Sequence, residues 1–401
     1  MQPTISASFA AWLLAGIAIS LLLVPLVGLL FARSACRRVF NREPPTFWLW
    51  PLLGVTRPLG MLWQLLTAPL RCLPDVYVLG EVRCGTTTTA TLLRDRLGMV
   101  GPFTPWVHPL ANEKESFYLV GHYWGFVPAW AYRMCFPIRL TRWWYRVILR
   151  RPFAVFEGCA SYLSAPWAPA FIKALTPRAV LVVCIREPVS QNLSWWRLEQ
   201  GAMAWGSSMG LGEEWCGAPA RAHYPPRSFR GAVALSRSAA VEEQWRQAEQ
   251  LASASSLPVS LPDWAVPFPN GQLSALDRMG RYVDTIERWL REFDREQFVF
   301  LHIDDVSKQP DAALERIAAK CRERGVPVPS AVHQGPSGVA ADARRAPKLN
   351  ESAQLDASLE PDEATLRELA AYYRPHNERL FKLLGRDLGW HSDPKYPYYN
   401  Q

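Results

Sequence analysis

Residues 75–97 read DVYVLGEVRCGTTTTATLLRDRL, and they decide the fold class expected of this chain of 401 residues. The continuous apolar run at 76–79 predicts a short buried strand, and the residues from 89 onward predict a helix. The turn between them is bounded by Gly80 and Gly85. Such a turn brings backbone N–H groups and the positive end of a helix dipole together, so this stretch predicts an anion-binding site.

Two further apolar runs, AVLVVCI at 179–185 and FVFLHI at 298–303, have the composition of strands in a parallel sheet covered on both faces. Helical spacing of apolar residues predicts helices at 276–293, at 311–324 and from residue 362. The sequence therefore predicts an α/β fold in which a parallel sheet is flanked by helices, as in P-loop NTPases.

The composition excludes a disordered chain, because 49% of the residues are hydrophobic. The eight cysteines include no CxxC pair, which argues against a zinc ribbon or a thioredoxin-like site. Several of them lie in apolar runs, where we expect buried thiols, and a disulfide through Cys216 or Cys321 stays open. The net charge of +8 suits a nucleotide, an acidic glycan or a membrane surface, although 37 arginines against 7 lysines also indicate a codon bias.

The turn at 80–87, GEVRCGTT, has the glycine spacing of a Walker A loop. Thr86, however, stands where that loop has its invariant lysine, and this weakens an assignment as an ATPase or a kinase. The structural alternative is a tight strand-to-helix turn that is capped by threonines and binds no ligand.

The same turn resembles the 5′-phosphosulfate loop of sulfotransferases that use 3′-phosphoadenosine 5′-phosphosulfate (PAPS). That loop reads glycine, two variable residues and Lys-Cys-Gly-Thr-Thr, and this chain matches the last four at 84–87. Arg83 stands where the family lysine stabilises the leaving group; arginine can grip a phosphosulfate with two donors but is a poor proton donor. The resemblance implies that the donor is held by Arg83, Cys84, Gly85, Thr86, Thr87 and Thr88.

Arg186 ends the second predicted strand, and Ser194 follows eight residues later. They resemble the arginine and serine with which the family binds the 3′-phosphate of PAPS, and a guanidinium fork suits a pair of phosphate oxygens. Lys348 lies where family members have a basic loop that closes over the nucleotide, so the resemblance assigns it to the same site.

Lys114 and Glu115, in NEKESFYLVGHYWG, resemble the segment that supplies the base in carbohydrate sulfotransferases. In-line attack on sulfur needs a carboxylate that takes the proton of the acceptor hydroxyl, and Glu115 is the candidate. Glu113 replaces it if the register shifts, and His122 is a weaker candidate. Lys114 would add positive charge to that of Arg83.

Further segments resemble the same family: FEGCASYL at 156–163, which corresponds to the lining of the acceptor cleft, the helix–strand pair at 281–306, and YYRPHNERLFKLLGRDLGW at 372–390. The resemblance points to carbohydrate sulfotransferases of the heparan sulfate and GalNAc-4-sulfate 6-O type. It implies PAPS as co-substrate, a glycan or polysaccharide hydroxyl as acceptor, and neither a metal nor a nucleic acid. Tryptophans that could stack on sugar rings, or fill the core, are Trp124, Trp130, Trp195 and Trp196.

Residues 9–31 are almost wholly apolar and long enough to cross about 30 Å of hydrocarbon as a helix. The resemblance would place the chain in the Golgi membrane with its enzymatic domain in the lumen, and the sequence sets no oligomeric state. The predicted division is a tail at 1–8, a transmembrane helix at 9–32, a basic, Trp-rich stem at 33–74, a sulfotransferase domain at 75–392 with an insertion or irregular loop at about 200–275, and a tail at 393–401.

The arginines that follow the apolar helix oppose this orientation, because positive charges favour the cytoplasmic side. They are Arg33, Arg37, Arg38 and Arg42. A second apolar stretch at 47–70 would remove the conflict by crossing the bilayer, while Arg57 and two prolines favour an interfacial stem. Two other functions stay open: a non-catalytic, glycan-binding membrane protein, which Arg83 allows, and an ATP-dependent P-loop phosphotransferase.

Overall fold

A computed structural model describes residues 62–102, 114–116, 118, 129–208, 228–254, 276–329 and 361–399. Within them, four parallel strands form one sheet in the order β2-β1-β3-β4. The strands are β1 (Val76–Gly80), β2 (Phe156–Glu157), β3 (Val180–Ile185) and β4 (Phe298–His302). The predicted α/β class and the three strands predicted from apolar runs are confirmed, and β2 adds an edge strand.

The sheet is buried because its strands are apolar on both faces, as a covered parallel sheet requires. Every residue of β1 and β3 is buried. Val76 pairs with Val180, and the register between the two strands shifts where β1 reaches Gly80. Since all four strands run in one direction, their carboxyl ends meet at one edge of the sheet. The predicted phosphate loop follows β1 at that edge.

Helices flank this sheet. They are α1 (Thr86–Leu97), α2 (Arg139–Trp143), α3 (Ala168–Leu175), α4 (Pro188–Ser208), α5 (Phe229–Ser236), α6 (Ala239–Ala254), α7 (Leu276–Gly280), α8 (Tyr282–Leu290), α9 (Ile303–Lys308), α10 (Pro310–Glu323) and α11 (Glu363–Leu384). The helices predicted at 311–324 and from residue 362 are confirmed as α10 and α11. Asp362 caps α11 by accepting a hydrogen bond from the Thr365 N–H.

The single helix predicted at 276–293 is wrong in one respect, because the chain leaves the helical conformation at Arg281 between α7 and α8. The break lies where Gly280 meets the ring of Tyr373 so closely that a Cβ would lie 2.5 Å from it. The predicted apolar stripe is confirmed. Its buried members are Met279, Tyr282, Ile286, Trp289 and Phe293, and Leu290 is partly buried.

The stretch predicted as an insertion or irregular loop at about 200–275 contains regular structure. Residues 228–254 form α5 and α6, so an irregular loop is wrong for this part. The helices form because Phe229, Val233 and Trp245 bury apolar side chains at helical spacing, and the Ser228 hydroxyl caps α5. The Gly-, Ser- and Ala-rich composition of the longer stretch concealed this pattern.

The described chain continues past the predicted domain boundary at residue 392. Residues 393–399, which the sequence suggested as a tail, bury Tyr396 and Tyr399 against the domain. The transmembrane helix predicted at 9–32 lies outside the described residues. Of the helices within the described ranges, none is both long and apolar enough to cross a bilayer.

The described cysteines are buried and unpaired: Cys72, Cys84, Cys135, Cys159, Cys184 and Cys321. They occupy the hydrophobic core, which confirms the prediction that thiols in apolar runs act as small apolar side chains. Cys321 therefore pairs with no other described cysteine, and Cys216 lies outside the described residues.

Candidate functional site

The loop between β1 and α1 is shaped by two glycines with left-handed backbone angles. Gly80 has φ 138°, and a Cβ there would lie 2.3 Å from the carbonyl oxygen of Ala160. Gly85 has φ 89° and precedes the first turn of α1, where no side chain caps the helix. The backbone at 85–88 therefore presents a helix N-terminus, the arrangement that binds anions in other proteins. Thr86 is buried there, while Thr87 and Thr88 are partly exposed.

The loop is anchored to β3 and α4 by hydrogen bonds. The Glu81 N–H donates to the Cys184 carbonyl over 2.7 Å, and the Gln191 amide donates to the Val82 carbonyl over 2.9 Å. The Glu81 carboxyl is buried and accepts from the Val82 N–H over 2.9 Å. Burial raises the pKa of Glu81 to about 8. Gln191 thus holds the loop in place, and the sequence did not indicate this contact.

Cys84, predicted from the family motif as a donor-binding residue, turns its thiol into the core. The sulfur lies 3.4 Å from the Tyr282 hydroxyl, and burial raises the pKa of the thiol well above its usual range. Its N–H donates to the Glu81 carbonyl over 3.2 Å. The structure thus gives Cys84 a part in holding the loop against α8.

Arg83, Arg186 and Ser194 lie together at the carboxyl edge of the sheet. The Arg83 Nε donates to the Ser194 hydroxyl over 2.9 Å, and Arg186 donates to the Arg83 carbonyl over 3.4 Å. Burial, and then the charge of Arg186, lowers the pKa of Arg83 to about 10. Two guanidinium groups held this close repel one another, so the site favours an anion that neutralises both. Arg83 comes from one segment of the sequence, and Arg186 and Ser194 come from a second.

Lys114 and Glu115 form an ion pair beside the residues that follow β2. The buried Lys114 ammonium donates to the Glu115 carboxylate and, over 3.0 Å, to the Gly158 carbonyl. The Ala160 N–H donates to Glu115 over 3.3 Å. Since the Ala160 carbonyl borders Gly80, the same short segment fixes the carboxylate and contacts the phosphate loop.

A second carboxylate, that of Glu157 at the end of β2, is buried next to this pair and contacts the following residue, Ser116. It accepts hydrogen bonds from the hydroxyls of Ser116 and Tyr132, and from the Tyr162 hydroxyl over 2.7 Å. Burial raises the pKa of Glu157. This cluster ties residue 116 to the end of β2 and so fixes the position of Glu115. A glutamate at the end of an apolar strand was the only signal of it in the sequence.

Glu187, next to Arg186, joins the start of α4 to the end of the chain. Its carboxylate accepts from the N–H groups of Val189 and Ser190 over 2.8 and 2.7 Å. It also accepts from the hydroxyls of Tyr398 and Tyr399 over 2.6 and 2.9 Å. We call these contacts the tyrosine clasp. No sequence motif indicated that two tyrosines more than 200 residues away would meet this glutamate.

Several predicted site residues lie outside the described residues. They are Lys348, Glu113, His122 and Trp124, and the side chain of Trp130 is likewise outside. Trp195 and Trp196 belong to the core, and Trp196 packs edge-on against Phe229, so these two do not form a sugar-stacking surface. Within the described ranges, no group of three or more His, Cys, Asp or Glu residues could hold a metal ion.

No family model and no curated protein matches this chain. Among solved structures, it is similar to a sulfotransferase from Alicyclobacillus acidocaldarius. The two are 17% identical, the alignment covers 79% of this chain and 98% of that one, and the TM-score is 0.42. A likeness of this size leaves the function to be argued from the residues of the site.

Proposed function

We propose that this chain transfers a sulfuryl group from PAPS to a hydroxyl of a carbohydrate acceptor. The observation that carries the proposal is the meeting of Arg83, Arg186 and Ser194 beside the glycine-bounded loop. A nucleotide with phosphates at both its 5′ and 3′ positions matches a helix N-terminus next to a pair of arginines. A nucleotide with phosphates on one side only would leave one of these two features unused.

The donor would be held in two parts. The N-terminal turn of α1, with Thr86, Thr87 and Thr88, would bind the 5′-phosphosulfate, because backbone N–H groups and the helix dipole favour negative charge there. Arg186 and Ser194 would bind the 3′-phosphate. Arg83 lies in the loop and bonds to Ser194, so its charge can serve both ends of the donor.

The transfer itself needs one new bond and one broken bond. The acceptor oxygen attacks sulfur, and the bond from sulfur to the bridging phosphate oxygen breaks. The proton of the acceptor hydroxyl passes to Glu115, and the electron pair of the broken bond leaves with 3′,5′-ADP. Arg83 would stabilise the charge that develops on the leaving phosphate, since an oriented cation in a water-poor site is effective there. The products are a sulfate ester and 3′,5′-ADP.

Glu115 is the base in this proposal because of where it is held. Lys114 and the Ala160 N–H orient its carboxylate, and the segment that carries Ala160 touches Gly80 of the phosphate loop. A base fixed at the edge of the donor site loses little orientational freedom on reaction. Lys114 is engaged by Glu115 and Gly158, so its role is to position the base.

The carbohydrate acceptor, the lumen of the Golgi as the site of action and the N-terminal membrane anchor belong to the same proposal. They are supported by the resemblance of residues 114–115 and 156–163 to carbohydrate sulfotransferases and by the apolar residues 9–31. Binding of ATP with higher affinity than 3′,5′-ADP would favour a P-loop phosphotransferase. Glycan binding without transfer would favour a non-catalytic relative.

The test is transfer of label from ³⁵S-PAPS by the full-length protein in detergent, with a panel of polysaccharides as acceptors. We expect Glu115→Gln to abolish transfer and to leave binding of 3′,5′-ADP unchanged, because the carboxamide cannot take a proton. Glu296→Gln, at an exposed glutamate far along the chain, is the matched control and should transfer normally. Normal turnover by Glu115→Gln would overturn the assignment of the base.

A further inference from the structure

The large apolar side chains that are most exposed among the described residues lie in two short segments, 62–70 and 140–149. Leu66 is 69% exposed and Leu140 is 66% exposed. We call these two segments the apolar patch. Its principal members are Leu66, Leu70, Leu140, Trp143, Trp144 and Val147. Contiguous exposed apolar surface of this kind marks an interaction site in a folded protein.

The second segment consists of α2 and the π-helical turn Trp144–Ile148 that continues it, and the polarity of this helix is inverted. Arg142 and Arg146, four residues apart, turn toward the body of the protein. Arg142 pairs with Asp75 over 2.8 Å, and Arg146 donates to the Phe153 carbonyl over 2.8 Å. The helix thus uses its charged side chains for attachment and presents apolar side chains outward, the reverse of a helix that faces water.

The first segment is inverted in the same way. Gln64 and Thr67 are buried, while the leucines and the tryptophan around them are exposed. Thr67 accepts a hydrogen bond from the buried Arg71 over 2.9 Å, and Arg71 in turn donates to the Phe136 carbonyl over 2.7 Å. Two separate segments that both bury polar groups and expose apolar ones indicate a common partner.

The backbone joins the two segments into one surface. Arg71 and Ile138 form an antiparallel bridge, and the Cys72 N–H donates to the Pro137 carbonyl over 2.8 Å. Arg139 also donates to the Arg71 carbonyl over 3.3 Å. Leu70, one residue before the bridge, and Leu140, two residues after it, therefore lie on neighbouring stretches of chain.

Charge and sequence context identify the partner. Residues 129–156 carry six arginines and no acidic residue. Of these, Arg139, Arg150 and Arg151 are exposed beside the apolar patch. Tryptophan with leucine on a surface rimmed by arginine is the composition of segments that lie in the headgroup region of anionic bilayers. Residues 47–61, which are apolar except for Thr56 and Arg57, lead directly into the patch along the sequence. We propose that the apolar patch docks on the surface of an anionic lipid bilayer.

Docking in this way orients the molecule. Arg142 binds residues 73 and 75, immediately before β1, so the patch lies at the amino-terminal edge of the sheet. The phosphate loop lies at the opposite edge, one strand length away, which for five residues is about 17 Å. The bilayer would therefore lie at the amino-terminal edge of the sheet, and the proposed donor site at the carboxyl edge would face water. This consequence, unlike the docking itself, rests on the proposed function.

The test is spin labelling of the full-length protein in vesicles. Cys36→Ser and Cys216→Ser remove the cysteines that lie outside the described residues, and the remaining six are buried. Leu140→Cys and Val147→Cys place labels on the patch. Glu315→Cys, at an exposed position on α10, is the matched control. Collisions with oxygen, which enters lipid, and with a water-soluble nickel chelate are measured for each label.

In vesicles of phosphatidylcholine with phosphatidylserine, we expect gain of oxygen collisions and loss of nickel collisions at 140 and 147 but not at 315. Omission of phosphatidylserine should remove this difference between the patch labels and the control label, because the arginines then lose their electrostatic attraction to the bilayer. Nickel accessibility at 140 and 147 equal to that at 315 would overturn the proposal. Shielding of both labels from oxygen and from nickel would overturn it too, and would show that protein covers the patch. Binding of 3′,5′-ADP, measured on the same samples, reports the proposed function separately.

Discussion

At the scale of single residues, Arg186 allows the two halves of the proposed donor site to be tested separately. Its guanidinium lies at the end of β3, next to the Arg83 carbonyl, and would touch the 3′-phosphate only. Removal of one charged hydrogen bond costs about 1.5–3 kcal/mol. We expect Arg186→Ala to weaken binding of 3′,5′-ADP by that amount in a calorimetric titration, and to leave binding of 5′-AMP unchanged.

Arg94→Ala is the matched control for Arg186→Ala. Arg94 pairs with the neighbouring Asp95 on the exposed side of α1, and both side chains are about half exposed. Its loss should change neither nucleotide affinity, because exposed pairs contribute little and lie away from the loop. Equal losses for 3′,5′-ADP and 5′-AMP in Arg186→Ala would contradict a 3′-phosphate site at this residue.

Glu81 makes stability depend on pH. Burial raises the pKa of this carboxyl from 4.5 to about 8, so the folded protein holds a proton that the unfolded chain releases above pH 4.5. The contribution of Glu81 to stability is therefore fully present below about pH 4.5 and is lost as pH rises through 8. We expect the thermal midpoint to fall between pH 5 and 8.5, and Glu81→Gln to flatten that fall.

Glu157 acts in the same direction, since burial raises its pKa too. The comparison of Glu81→Gln with the unchanged protein cancels this shared part, and Glu296→Gln controls for the loss of an exposed carboxyl. The prediction about Glu81 is wrong if the two thermal midpoints run parallel across the pH range.

At the scale of elements, the tyrosine clasp connects helix α4 with the end of the chain. Glu187 satisfies two N–H groups of the first turn of α4, and this helix carries Gln191 and Ser194 into the site. Tyr398 and Tyr399 hold the same carboxylate from the other side. Because one buried carboxylate serves both, we expect the stability of the chain end and the shape of the donor site to be linked.

We expect Tyr398→Phe and Tyr399→Phe each to lower the free energy of unfolding by about 1 kcal/mol, the ordinary net contribution of one hydrogen bond. In a Glu187→Gln background the same changes should cost less, since the shared acceptor is altered. Urea unfolding of the two backgrounds and of the four tyrosine variants made in them measures this coupling. Tyr145→Phe, at a half-exposed tyrosine, should change little, and additive costs in both backgrounds would refute the shared carboxylate.

At the scale of the whole molecule, the fold followed from sequence where one local pattern determined the structure. The runs at 76–79 and 179–185 are apolar at every position and the run at 298–303 at every position except His302, so they indicated covered strands, and the glycine-bounded turn indicated a connection from a strand to a helix. The helices at 228–254 were missed, because composition averaged over 200–275 concealed their period. Elements were therefore predicted correctly where a local apolar pattern was read residue by residue, and missed where only the average composition of a long stretch was used.

The site divides in the same way. Arg83, Arg186 and Ser194 were predicted because each belongs to a motif, and the structure brings them together where the loop after β1 meets the end of β3. The tyrosine clasp and the Glu157 cluster could not be predicted, since each joins side chains that are distant along the chain and have no shared motif. A buried carboxylate is visible in sequence only as a charge in an apolar setting, and its partners are set by packing.

Bound nucleotide should change amide exchange across the whole domain. A ligand that binds the folded chain at the carboxyl edge should slow amide exchange in all elements that meet there. We expect 3′,5′-ADP to protect residues 80–90, the start of α4 at 188–194 and, through Glu187, residues 396–399, which include the two tyrosines of the clasp. Amide exchange in the second segment of the apolar patch, 140–149, should be unchanged. Hydrogen exchange with mass spectrometry measures these segments in one experiment. Protection confined to residues 80–90 would indicate a site for a single phosphate group, because Arg186 and Ser194 would then take no part in binding.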